Sequence, residues 1–207
     1  MTFAAQERAA LGTLLLDVGP DAPTQCEGWT TRDLAIHLFI REHKVPATFG
    51  NFVPAFAGTL NKEVERQKQR PYEDVVRDWS AGPPAFLKPV DAVMNGGENF
   101  IHHEDVRRGD GHPHPREFSQ EDNSLLLTMV KRFSVMALHS SPVPVILTPP
   151  HDPPVTAGGK RGVARRGDDV VRVFGMPGEL LLWTTGRVAD VRVEGDKPYI
   201  DKLRRAL

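Results

Sequence analysis

The run Gly97-Glu98-Asn99-Phe100-Ile101-His102-His103-Glu104-Asp105 sets a carboxylate and an imidazole four residues apart in helix-compatible sequence. At the helical repeat that spacing stacks Glu98 and His102 on one face, so a fold that uses both must bring another element up against that face. A second histidine, His37, stands far upstream in Trp29-Thr30-Thr31-Arg32-Asp33-Leu34-Ala35-Ile36-His37-Leu38, where the other residues at helical spacing are apolar. Two facing helices would then close a His/Glu/His site. Those are the ligand types of a divalent transition metal, and three protein ligands leave a position for water or substrate. The residues alone leave plainer alternatives open. A lone histidine on an apolar helix face also serves as a satisfied core residue, and Glu98 with His102 also reads as a solvated pair worth about 0.2–0.5 kcal/mol. His103 pairs at the same spacing with Asn99, whose amide is a poor metal ligand, so Glu98 with His102 is the better register. His112 and His114 lie among glycines and prolines between Gly109 and Pro115, and read as solvent-facing loop residues or, alternatively, as a loop that reaches a site at the nearby helix end.

Apolar residues at helical intervals predict a first helix from Phe3 to about Val18, stopped by Gly19-Pro20. Thr30-Thr31-Arg32-Asp33 reads as a capped helix start, with Thr30 as N-cap, Asp33 near the positive dipole end, and Trp29 pinning the entry by packing. Val45 to Gly58 reads as irregular, with Phe49, Phe52 and Phe56 as core residues or, alternatively, as a pocket wall. Helices are predicted over Thr59 to Gln69, Tyr72 to Ser80, Asp91 to Arg108 and Gln120 to His139. At Ser140-Ser141-Pro142-Val143-Pro144 the composition turns to proline and β-branched residues, which predicts a helical domain over 1–141 and a small α/β domain over 142–207. Strands are expected over Val143 to Thr148, Val155 to Thr156, Gly162 to Arg165, Val170 to Phe174 and Ala189 to Glu194. A helix is expected over Met176 to Thr185 and a short basic one over Lys197 to Leu207.

A formal charge of -1 over 207 residues argues against a generic polyanion binder, which needs a concentrated positive field. The basic run Lys160 to Arg166 is followed at once by Asp168 and Asp169 without interleaved aromatics, and reads as a solvated hairpin rather than a nucleic-acid patch. Cys26 is the only cysteine, so no intrachain disulfide forms. It reads as a small buried hydrophobe rather than a reactive thiol. No secretory signal opens the sequence, and no apolar run approaches the roughly 18–20 residues of a membrane helix. A soluble cytoplasmic protein with no membrane contact is expected.

Cys26-Glu27-Gly28-Trp29-Thr30-Thr31-Arg32-Asp33-Leu34-Ala35-Ile36-His37-Leu38, taken with Glu98-Asn99-Phe100-Ile101-His102-His103-Glu104-Asp105-Val106-Arg107-Arg108, resembles the DinB/YfiT-like metalloenzyme superfamily. Within it the likeness is to the branch of mycothiol-dependent maleylpyruvate isomerase and its uncharacterised relatives. Phe174 to Trp183, Gly186-Arg187 and Val191 to Asp196 resemble the small α/β domain that follows the bundle in this branch. The resemblance implies a mainly α protein, with an N-terminal DinB-like four-helix bundle and a small C-terminal α/β domain. It also implies that His37, Glu98 and His102 bind a divalent metal, usually zinc, with water at the open position.

From the resemblance, the expected function is that of a metal- and thiol-dependent transferase or isomerase, with mycothiol as the low-molecular-weight thiol and a small electrophile as substrate. Arg187 would be a catalytic-site arginine clamping an anionic substrate bidentately, or else an exposed structural arginine. Glu104 and Asp105 would orient the ligands, or simply form a charged helix end. A non-catalytic metal- or small-ligand-binding module and a hydrolase using metal-bound water are the alternatives. A homodimer is the assembly that the resemblance allows.

Overall fold

The computed structural model describes residues 1–44, 57–159, 162–203 and 205. The phenylalanines Phe49, Phe52 and Phe56 lie outside the described residues, as do Lys160 and Arg161 of the basic run. Contacts group the chain into two units, Met1–Asp110 and Gly111–Leu207.

The first unit is helical. Helix α1 spans Phe3–Val18, opened by Thr2, whose Oγ1 accepts from the Ala5 N–H at 3.3 Å, and closed at Gly19 with φ 79°. Helix α2 spans Thr31–His43 and starts as its cap residues predict. The Asp33 carboxylate accepts from both the backbone N–H and the hydroxyl of Thr30, each at 3.0 Å. Helices α3 (Ala57–Lys68), α4 (Tyr72–Ser80) and α5 (Asp91–Arg107) follow, with a single 3₁₀ turn at Lys88–Val90 before α5. Leu11, Leu15, Leu34, Leu38, Val76 and Trp79 are fully buried where α1, α2 and α4 meet, each contributing roughly 1.5–3 kcal/mol of apolar burial. Helix α5 packs along α1. Asn99 Nδ2 donates to the Ala4 carbonyl at 3.0 Å, and His103 Nδ1 lies 2.8 Å from Glu7 Oε2. These bonds fix the rotation of α5 about its axis. With His103 turned toward α1, His102 is left on the adjoining face.

In the second unit, helix α6 (Gln120–Ala137) is capped by Ser119, whose Oγ accepts from the Asp122 N–H at 3.1 Å. A four-stranded sheet of order β2-β1-β3-β4 follows, built from β1 (Pro144–Thr148), β2 (Val155–Gly158), β3 (Val171–Phe174) and β4 (Arg192–Glu194). Strand β1 runs antiparallel to β2 and parallel to β3, while β4 returns antiparallel to β3. Helix α7 (Pro177–Thr184) packs on α6, and a last short helix α8 covers Lys197–Ile200. Helix α6 thus groups with the sheet, and the composition change near Ser140 marks the passage from helix to strand inside the second unit.

The strand expected over Gly162 to Arg165 does not form. Gly162 has φ 63°, and the Asp168 carboxylate accepts from the Arg165 N–H at 2.8 Å, which holds this segment in turns. The terminal helix stops at Ile200, short of the expected Leu207, and β4 begins at Arg192 rather than Ala189. Among the described residues no helix is long and apolar enough to cross a membrane.

Candidate metal centre

Three elements of the first unit converge on His102: helix α2, helix α5 and the loop between α1 and α2. The loop is fastened to the end of α5. Gln25 donates its backbone N–H to the Asp105 carbonyl at 2.9 Å and its side-chain amide to the Arg108 carbonyl at 2.5 Å. Gly109 permits the approach, since a Cβ there would stand 2.2 Å from the Pro23 carbonyl oxygen. A tight turn from Cys26 to Trp29, closed by the Trp29 N–H on the Cys26 carbonyl at 2.9 Å, has Gly28 at φ 75° in its third position. A type II turn requires that conformation there. The turn delivers Trp29 to His37, with ring centroids 5.2 Å apart.

His37, Glu98 and His102 come together as their spacing predicts. One ligand atom from each lies within 4.8 Å of the others. The His37 and His102 rings meet edge to face at 5.3 Å, and His102 Nε2 is 3.5 Å from Glu98 Oε2. His102 is buried, while His37 and Glu98 are partly exposed. Beside His37 a cleft of about 190 Å³ is lined by Trp29, Ile36, Ile40, Leu60 and Val64 together with Arg41.

The electrostatics suit ligation. Burial, aided by the neighbouring His102 charge and Arg41 and opposed by Glu98 and Asp105, lowers the His37 pKa from 6.5 to about 4. Its ring is therefore neutral, with a lone pair available, at any pH near 7. Burial works against ionisation of Glu98, yet the hydrogen bond from His102 and the charges of Arg41, His102 and His37 outweigh it and bring the carboxyl to about 2. His102 is likewise penalised by burial, but hydrogen bonds to Asp105, Cys26 and Glu98 overcome it and raise its pKa well above 6.5. A neutral imidazole, an ionised carboxylate and a second imidazole that accepts exchange of a proton for a cation form a donor set that fits a divalent metal such as zinc.

The remaining candidates fall elsewhere. His103 turns to Glu7. Glu104 is held by Arg107 at 2.8 Å and Arg108 at 2.6 Å, whereas fully buried Asp105 places Oδ2 2.9 Å from His102 Nδ1. Of the acidic pair, Asp105 alone orients a ligand. His112 and His114 are exposed and belong to the second unit. Arg187 also lies in the second unit, just past α7, with Nη1 donating to the Thr185 carbonyl at 2.7 Å. Cys26, expected as a buried hydrophobe, is half-buried, with Sγ 3.2 Å from Asp105 Oδ2. Sequence spacing carries no signal of that meeting, because a loop returning to a helix 79 residues later has no periodicity.

No curated protein and no solved structure matches the chain. One family profile does, over residues 3–99. The match includes His37 and Glu98 and stops three residues short of His102. Over those residues the chain is similar to the mycothiol maleylpyruvate isomerase N-terminal domain family.

Proposed function

We propose that His37, Glu98 and His102 hold a divalent cation, zinc by its fit to two imidazoles and a carboxylate, and that the protein is a thiol-dependent transferase or isomerase. The observation that carries this reading is the convergence of the three donors beside an apolar cleft, with His37 kept neutral by burial. When bound, the cation supplies Lewis acidity that lowers the pKa of a small thiol at its open position.

The chain's own residues do the rest. Asp105 takes the Nδ1 hydrogen of His102 and so directs Nε2 toward Glu98. Trp29, Ile36 and Ile40 line a cleft that excludes water from a small electrophile. The thiol, mycothiol by the family's name, gives its proton to solvent as its sulfur adds to an electrophilic carbon of a conjugated double bond, whose π pair moves onto the conjugated carbonyl oxygen as an enolate. Protonation of the enolate carbon with the carbon–sulfur bond kept is transfer, and rotation about the former double bond followed by its re-formation with expulsion of the thiolate is isomerisation.

The test uses cobalt-substituted Cys26→Ser protein, so that any sulfur-to-cobalt charge-transfer band arises from added thiol. Mycothiol or a simpler thiol at millimolar concentration is expected to produce the band. If none does, a hydrolase using metal-bound water or a non-catalytic metal module replaces the thiol reading.

A further inference from the structure

The His102 ring has two nitrogens, and the set with His37 and Glu98 takes its donor from Nε2. Nε2 faces Glu98 at 3.5 Å, while Nδ1 faces Asp105 Oδ2 at 2.9 Å, and the same oxygen lies 3.2 Å from Cys26 Sγ. Sulfur, carboxylate oxygen and imidazole nitrogen all lie within 4.8 Å of one another. We propose that Cys26, Asp105 and His102 Nδ1 form a second donor set, for a soft, thiol-seeking cation of the cadmium or copper(I) class. The thiolate is the selecting ligand, since soft cations favour sulfur over the all-nitrogen and oxygen set on the other side of the ring.

The site is built rather than accidental. Asp105 has no exposed surface and His102 little, and the loop bearing Cys26 is fastened to α5 through Gln25 and the Gly109 approach to Pro23. Half-buried Cys26 is its opening to solvent. Tetrahedral bonds of zinc length, about 2.0–2.3 Å, put neighbouring donors about 3.3–3.8 Å apart, so the Asp105–His102 and Asp105–Cys26 separations of 2.9 and 3.2 Å need to open by about half an ångström for a cation of that size and further for cadmium. Binding exchanges two protons for the cation: the Cys26 S–H and the His102 Nδ1–H protons pass to solvent. If the first set is filled as well, His102 bridges the two cations as an imidazolate. The second set does not require a cation on His37 and Glu98.

The experiment titrates cadmium, in thiol-free buffer, into the wild type and four variants, following the sulfur-to-cadmium ultraviolet band and stoichiometry. The wild type and His37→Ala/Glu98→Gln are expected to develop the band, which in the double variant saturates at about one cation per chain. Cys26→Ser should lose it, and Asp105→Asn and His102→Gln should each weaken it at least tenfold. If either of the last two variants binds as tightly as wild type while still showing the band, the signal reports an isolated thiol and the proposal is overturned, as it is if the wild type shows no band. Cobalt uptake by Cys26→Ser reports the first set separately, so failure of one site is distinguishable from failure of the other.

Discussion

Arg8 and His102 each stand at the centre of a buried polar cluster in the N-terminal unit, and the two clusters differ in what they leave over. Around Arg8, Glu42 approaches to 2.7 Å and Asp91 to 2.8 Å, while the Trp79 indole donates to Glu42 at 3.0 Å. Cation, carboxylates and donor satisfy one another, and the cluster ties α1, α2, α4 and α5 together. Around His102 the groups are of one kind: imidazole nitrogens, carboxylate oxygens and a sulfur, all able to donate electron pairs. Arg41, 3.6 Å from Glu98, stands beside this set, and it also engages Asn95 and the Met94 carbonyl. A buried network that closes on itself is structural, whereas convergent lone pairs form a place for a cation.

The sharpest way to break this contrast is to damage the closed network. Glu42→Ala takes one of two carboxylates from Arg8, which keeps Asp91, and leaves the Trp79 indole without its acceptor; it is expected to cost about 3 kcal/mol in urea unfolding, while the fraction that remains folded keeps its metal. A loss below about 1 kcal/mol would mean that the cluster is not structural. On the other side of the comparison, Glu98→Gln should weaken zinc binding at the His37, Glu98 and His102 set more than the about 10–100-fold expected for Asp105→Asn, which acts on that set by orienting His102. His103→Ala should leave affinity within about twofold, and cost about 1–3 kcal/mol of stability by removing the buried His103–Glu7 bond. Isothermal titration with zinc and denaturation together decide this. An emptied site in His103→Ala with a full one in Glu98→Gln would show that the other histidine is the ligand.

These two histidines also show how much of the site the sequence made legible. The i,i+4 rule selected Glu98 and His102, and the Thr30–Asp33 cap placed His37 on a helix, because each of those signals is local. Resemblance joined the two helices. What the chain did not reveal is tertiary: Cys26 reaches Asp105 through a loop whose course depends on Gln25 and on the missing side chain at Gly109. The grouping of α6 with the sheet was hidden likewise, since a helix pattern does not say which neighbour its apolar face will cover. Gly162 to Arg165 carried alternation without a partner strand, and local hydrogen bonding won.

Acid offers a finer probe. Above 6.5 His37 is neutral in both folded and unfolded chains; as pH falls toward about 4 only the unfolded chain takes up its proton, so metal-free stability declines across that window. Glu98 stabilises above its ordinary 4.5, and that contribution is lost as pH falls through about 2. His102 opposes both, stabilising below 6.5 and losing that effect as pH rises through its elevated pKa. Since His102 holds a proton near pH 7, metal uptake should release about one proton there and tighten as pH rises. Titrations in two buffers of different ionisation enthalpy measure that proton, and its absence would show that His102 is not displaced.

The smallest expected effect tests the boundary. Fragments ending at Asp110 and at Ser141 both contain every donor, and we expect the shorter one to stay helical by circular dichroism and bind metal within about twofold of the full chain. If only the longer fragment folds, α6 is needed by the N-terminal helices.

The metal content of the purified protein tests the assignment of the centre most directly. Elemental analysis of wild type and His37→Ala, side by side, should find about one divalent cation per wild-type chain and almost none in the variant. Equal content in the two would contradict the assignment of His37, Glu98 and His102 as the metal centre.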